Sequence, residues 1–250
     1  MEILNALGQE YEKEHKEEIL EKRQYGVDGS RDSNHDLPLP EPFRQRPRIG
    51  TRMYVRDVVS RFLKPLLGEL KSWQSETRQH AAKMLRVVLI FMEEHITMEL
   101  KNVMTALLRN VCTDSIEKEM RECCELLGRF VPPEAYLGVL LPHVRGDRTA
   151  NTNADAKSIA KATLVLSSMC AGTLSRVLLP HTNDILSALE DVSRELGNTM
   201  SSQFRLKCFH VLNTLTTNLS GKTQAVIDAI FTKRGRLPDL NRMFSLDIEA

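Results

Sequence analysis

One residue pattern recurs four times and constrains this chain more than any other feature. In the stretch Arg78–Leu85, RQHAAKML, an anchor residue is followed by two small or medium residues three and four places on, and by Leu at the seventh. The same offsets give Met120, Cys123, Cys124 and Leu127, then Ile159, Ala162, Thr163 and Leu166, then Arg205, Cys208, Phe209 and Leu212. Positions i, i+3, i+4 and i+7 line one face of an α-helix. Successive anchors lie 42, 39 and 46 residues apart, the spacing of a unit made from two helices. Such units cover their apolar faces by stacking on one another. The predicted fold is therefore all-α, an alpha-solenoid of stacked antiparallel helix pairs.

A second echo runs half a unit out of phase. Val139–His143 and Val177–His181 are the same five residues, VLLPH, 38 positions apart, and Phe62–Leu66 carries Pro65 at the matching place two steps earlier. Proline inside an apolar helical pattern removes a hydrogen bond and crowds the carbonyl four residues back, so the first helix of each pair is predicted to be kinked. The small residues of the second helix let neighbouring helices approach closely, and a bulky side chain at Ala81 or Ala82 is expected to overpack.

Taken in order, residues 1–25 read as a charged N-terminal helix, with Ile3, Leu4, Leu7 and Tyr11 on one face. The acidic excess of this segment argues against a membrane-surface role. Its opening without a cap predicts that the chain is a piece of something longer. Residues 26–50 hold Pro38, Pro40, Pro42 and Pro47 and read as a Pro/Gly-rich linker, or a strap laid across the array. Residues 51–234 are the repeat array, and 235–250 a C-terminal tail. Within the array, helices are predicted over Tyr54–Ser72, over Ser75–His95 with Ser75 as cap, over Thr97–Asn110, Glu117–Phe130 and Pro133–Arg145, and over Asp155–Ala171 and Thr173–Leu196. Two more follow, 201–219 and 222–234. Gly146–Asp155 is polar and reads as a loop at one edge of the stack.

The formal net charge of +1 in 250 residues argues against bulk attraction to nucleic acid or anionic lipid. Arg44, Arg46, Arg48, Arg52, Arg56 and Arg61 crowd the start of the array. They offer a phosphate-binding patch, or else a solvated surface or an intramolecular partner for the acidic first segment, and the second reading is preferred because no aromatic residues interleave them. Five Cys in a chain with no apolar signal segment read as reduced thiols of a cytoplasmic or nuclear protein. No catalytic, cofactor-binding or metal-ligating set emerges. Gly221-Lys222-Thr223 resembles the end of a phosphate-binding loop, but Thr216 stands where the motif needs Gly and the flank is helical. Neither C-x-x-C nor H-E-x-x-H occurs. His143 and His181 recur in step with the array and read as scaffold, while Cys208 and His210, two apart on a helix, point to different faces.

A helix pair with Pro in its first helix and Arg-x-x-Ala-Ala-x-x-Leu in its second resembles the HEAT repeat. The run Trp73-Gln74-Ser75-Glu76-Thr77-Arg78, with Leu85, Glu94–Thr97, Leu100, Cys112–Asp114 and Leu126–Glu134, together with the arginine-rich segment Arg46–Arg56, resembles more closely the dynein axonemal assembly factor 5 family. The similarity runs from about Tyr11 to Leu189 and places this chain against the C-terminal part of much longer members. Gly146–Asp155 departs from the family pattern. The resemblance implies a cytoplasmic, non-catalytic scaffold that preassembles dynein arms for motile cilia or flagella. Its implied partners are axonemal dynein subunits, intermediate chains foremost, with other assembly factors and chaperones, and neither nucleic acid nor membrane. No cofactor is implied, and no single functional residue carries over. A HEAT-repeat adaptor of another kind, a transport receptor or a phosphatase regulatory scaffold, is the alternative.

Overall fold

The structure, a computed structural model, describes residues 2–24, 39, 43, 46–147 and 155–196. Its helices are α1 (Glu2–Glu14), α2 (Lys16–Gln24), α3 (Ile49–Glu69), α4 (Ser75–Met92), α5 (Leu100–Asn110), α6 (Glu117–Phe130), α7 (Pro133–Arg145), α8 (Ala156–Gly172), α9 (Ser175–Leu178) and α10 (Thr182–Leu196). No strand occurs among the described residues.

Contacts between helices resolve into two rows. Helices α3, α5, α7 and α10 touch in succession along one row, α4, α6 and α8 along the other, and α3–α4, α5–α6 and α7–α8 pack as pairs across them. This is the stacked-pair architecture that the repeat predicts. The repeat positions supply its seam: Ala81, Ala82 and Leu85 of α4, Met120, Cys123, Cys124 and Leu127 of α6, and Ile159, Ala162, Thr163 and Leu166 of α8 are all buried. Two adjacent small side chains in each helix let the second row close up, and Leu at the seventh place fills the space beneath. The fourth copy, with Phe209, lies outside the described residues, as do the two helices and the tail predicted beyond Leu196.

Several boundaries differ from the sequence expectation for identifiable reasons. The N-terminal helix is two helices, separated by a turn at His15, whose Nδ1 lies 3.1 Å from the Tyr11 carbonyl. Helix α3 starts at Ile49, five residues early, because Ile49 and Met53 bury with Ile19 in a small second cluster that the array alone does not call for. Ser75 does not cap α4: the cap is Gln74, which makes no side-chain bond, and Ser75 is the first helical residue. Asp155 does cap α8, accepting from the Ser158 N–H at 2.8 Å. Helix α4 stops at Met92 and a 3-10 segment, Glu93–Glu99, leads into α5.

The prolines act unequally. Pro65 and Pro142 sit inside α3 and α7, in their last turns, and both helices continue past them. Pro180 follows only four helical residues, so the predicted single helix breaks into α9, a 3-10 turn over Leu179–His181, and α10.

Helix α1 lies across the start of α3. A Cβ on Gly8 would stand 2.6 Å from the Thr51 amide nitrogen, and one on Gly50 2.3 Å from the Gly8 carbonyl oxygen. The two backbones meet here because neither residue carries a side chain. Tyr11 then stacks on His15, with centroids 3.9 Å apart, and donates its hydroxyl to Asp57 at 2.5 Å.

Candidate interaction site

The second row is tied from unit to unit by polar contacts that span about one repeat in sequence. Arg78, the anchor of α4, donates to the Ser72 and Trp73 carbonyls at 2.7 and 2.9 Å, and to the Ser115 hydroxyl at 3.3 and 3.1 Å. One guanidinium thus fixes the α3–α4 turn and fastens it to the α5–α6 turn, using donors that point in a fixed fork. Eight residues along, Arg86 pairs with Glu122 of α6. In the next unit the Tyr136 hydroxyl lies 3.0 Å from the Thr173 hydroxyl, which reaches the Gly128 and Met169 carbonyls at 2.8 Å each. A hydroxyl has one proton to give. Tyr136 therefore donates to Thr173, and Thr173 to one of the two carbonyls. In the first row His181 meets Glu134 at 3.2 Å and Arg145 meets Asp191 at 3.3 Å. His181, from the repeated VLLPH, thus joins two units of the first row.

The arginine-rich segment is occupied within the molecule. Arg46 grips Glu93 with two bonds, at 2.8 and 2.6 Å, and Arg52 adds a third at 2.6 Å to the same carboxylate. Glu93 is buried, with 2% of its side chain exposed. Its backbone φ of 47° is the only positive value among described non-glycine residues. Such a backbone costs roughly 1–3 kcal/mol, and two guanidinium groups on a buried carboxylate hold it there. The clasp draws together Arg46, just before α3, with α3 and the end of α4, beside the edge-to-face contact of Phe43 with Phe91 at 6.0 Å. Arg48 pairs with Glu12 at 3.2 Å, and Arg56 with Asp57 at 2.8 Å and Glu18 at 3.8 Å. The preference for an intramolecular role over a phosphate patch is met at these four arginines. Arg44 lies outside the described residues. Sequence reasoning found the acidic first segment as a partner but missed Glu93, which is more than 40 positions away from both of its arginines.

Electrostatics around these residues favour structure over reactivity. Burial pushes the Cys123 and Cys124 thiols well above their usual range, and Cys170 up to about 12. Thiols held protonated are poor nucleophiles. Burial, then the bond to Asp57, raises Tyr11 to about 12. Burial alone lowers His143. Among the described residues no cluster of three His, Cys, Asp or Glu could hold a metal ion, and no helix is long and apolar enough to cross a membrane. Gly221-Lys222-Thr223, Cys208 and His210 lie outside them.

Among the described residues the surface has an apolar concavity, a groove of about 460 Å³ where α1, α3 and α4 meet, lined by Leu4, Tyr54, Val58, Phe62, Met84 and Val87 among others. Glu69 and Tyr54 are the polar side chains of its lining, and no second carboxylate, His, Cys or Ser stands beside them there. What the arrangement can do chemically is hold another surface by shape, apolar contact and charge.

Residues 39–234 match the family model described as dynein axonemal assembly factor 5, HEAT-repeat domain. The chain is similar to the protein named dynein axonemal assembly factor 5 from Mus musculus, 28% identical over 187 residues, which cover 71% of this chain and 21% of that protein. The protein of the same name from Homo sapiens is 28% identical over 189 residues, covering 73% of this chain and 20% of that one. The Xenopus laevis protein is 22% identical over 219 residues, or 85% and 24% of the respective lengths. This chain thus spans about a fifth to a quarter of the length of these relatives. No solved structure matches it.

Proposed function

Because the chain belongs to the family of dynein axonemal assembly factor 5 HEAT-repeat domains, we propose that it is a non-catalytic scaffold in the cytoplasmic preassembly of axonemal dynein arms for motile cilia or flagella. It binds dynein subunits, intermediate chains foremost, together with other assembly factors and chaperones. The observation that carries this reading is the extent of the family match, 39–234, which takes in both rows of helices and the clasp of Arg46 and Arg52 on Glu93. The physical support is the ladder of inter-unit contacts. Units fastened to one another along the rows present a long, fixed surface on which a client can be held without any pocket tuned for chemistry.

The test is affinity purification of the tagged chain from the cytosol of ciliating cells. Dynein intermediate chains and chaperones are expected in the eluate. Recovery of nuclear-transport proteins, or of a phosphatase catalytic subunit, in their place would overturn the assembly role in favour of another HEAT adaptor. Nucleotide hydrolysis by the purified chain would overturn the scaffold reading itself.

A further inference from the structure

The repeat supplies its own control for what a second-row helix looks like when covered. Six residues after each of the three described anchors stand Met84, Leu126 and Val165. Leu126 is 4% exposed and Val165 0%, whereas Met84 is 50% exposed. Two residues after the anchors, Glu122 is paired with Arg86 of the preceding helix, while its counterpart His80 is exposed. Five residues before, Ser115 is bonded by Arg78 of the preceding unit, while its counterpart Trp73 is 86% exposed. In α6, Glu122 faces α4 and Leu126 lies one turn further along the same side, and α8, which carries Val165, packs on α6. On α4 the same positions face outward, and they continue into the apolar groove between α4, α3 and the tip of α1. Helix α1 reaches that groove only with Leu4 because its glycine crossing ties it to the start of α3.

We propose that this outer face of the α3–α4 pair is the docking surface for an amphipathic helix of a partner protein, laid along α4 as α4 is laid along α6. The partner helix places an apolar stripe over Met84 and Val87 and an arginine over Trp73. The face is continuous with the α4–α6–α8 interface and repeats its register, so the internal contact is a template for the external one. In that template a guanidinium from the covering helix lands five residues before the anchor. Here it meets an indole rather than a hydroxyl, and a guanidinium stacks well on an indole face. Glu69, which lines the groove, and Glu76, in the first turn of α4, add negative charge around it. Arg78 fixes the turn through the Ser72 and Trp73 carbonyls, so the indole projects from a rigid backbone. An exposed tryptophan on a fixed turn is the kind of residue that anchors an interface. This surface goes beyond the scaffold role, since it does not depend on which client the array serves.

Trp73 is the only tryptophan in the chain, so its emission reads the docking directly. The probe is a capped synthetic peptide of residues 75–92, standing in for the covering helix. Titration into the full chain is expected to give a saturable change in tryptophan emission. Arg78→Ala in the peptide is expected to weaken binding about tenfold or more. Met84→Lys in the protein should do the same with its melting midpoint unchanged, since half of that side chain is already in water. Emission that stays constant to the solubility limit of the peptide overturns the proposal. So does undiminished binding by Met84→Lys. A sedimentation profile showing a dimer without peptide, abolished by Met84→Lys, assigns the face to a second copy and also overturns it.

Discussion

Gly128 of α6 and Gly172 of α8 make a reciprocal contact, each facing the backbone of the other's helix. A Cβ on Gly128 would stand 1.9 Å from the Met169 carbonyl oxygen, and one on Gly172 1.8 Å from the Glu125 carbonyl oxygen. Both obstacles are backbone, which cannot swing aside as the end of a side chain can. Thr173 adds a bond from α8 to the Gly128 carbonyl at 2.8 Å. The second row is therefore closest at this seam, and the polar network of Tyr136 and Thr173 depends on it.

Alanine at either glycine sets two effects against each other. Helix propensity favours Ala over Gly by about 1 kcal/mol, while forcing the helices apart costs about 1–3 kcal/mol or more. With less than 2 Å of clearance, the second wins. Gly128→Ala and Gly172→Ala are each expected to lower the thermal midpoint, and the double variant to lose less than the two losses added, since α8 moves only once. Thermal melts check all three, and a raised midpoint in either single variant would count against the seam.

The Glu93 clasp and the Arg48–Glu12 pair have the same chemistry and different weight. Glu93→Gln leaves the buried Arg52 and the half-buried Arg46 against a neutral amide, a change of the kind that costs about 3–5 kcal/mol. Arg48 is 52% exposed, and Arg48→Ala is expected to cost under about 1 kcal/mol, as exposed pairs do. Urea denaturation of the two variants separates them, and equal losses would refute the distinction.

The repeat was legible because burial demands it. Ala81–Ala82, Cys123–Cys124 and Ala162–Thr163 sit at the helix–helix seam, where only small groups fit, so the pattern in the chain and the packing in the fold are the same fact. The limits of α6 and α7 follow equally from Pro132 and Pro133. Less legible were the features made by partners distant in sequence. Nothing near Glu93 marks it as the acceptor for Arg46 and Arg52, and its backbone turn follows from that clasp. Gly128 was visible as a residue yet not as a contact, because a glycine within a helix reads as tolerated rather than required; its partner Gly172 ends another helix 44 positions on. Met84 stands among the apolar residues of α4 and is not marked off from them in the sequence, since its exposure depends on what stacks against α4.

His143 makes stability fall in mild acid. Burial lowers its pKa below the ordinary 6.5, so the unfolded chain binds the proton more readily than the folded one. Its contribution is complete above the unfolded value and is lost as pH falls through the folded one. The thermal midpoint of the unsubstituted chain is expected to drop between pH 7 and 5, and that of His143→Gln to drop less. Parallel profiles would remove His143 from the account.

Thiol reactivity should follow burial. Cys112 is exposed, whereas Cys123, Cys124 and Cys170 are buried, with their thiols held protonated. Iodoacetamide labelling of the native chain at neutral pH, mapped by peptide mass spectrometry, is expected to modify Cys112 and to reach the other three only after denaturation. Early labelling of Cys123 or Cys124 would mean that the seam between α4 and α6 is open.

The most direct test of stacked helix pairs is an isotope-edited nuclear Overhauser spectrum read at the Gly128 α-protons. The account predicts cross-peaks from these protons to Met169 and Thr173, residues more than 40 positions away that only a close α6–α8 seam brings near. A Gly128 that shows contacts within its own helix and none to α8 would contradict the stacking on which the scaffold reading rests.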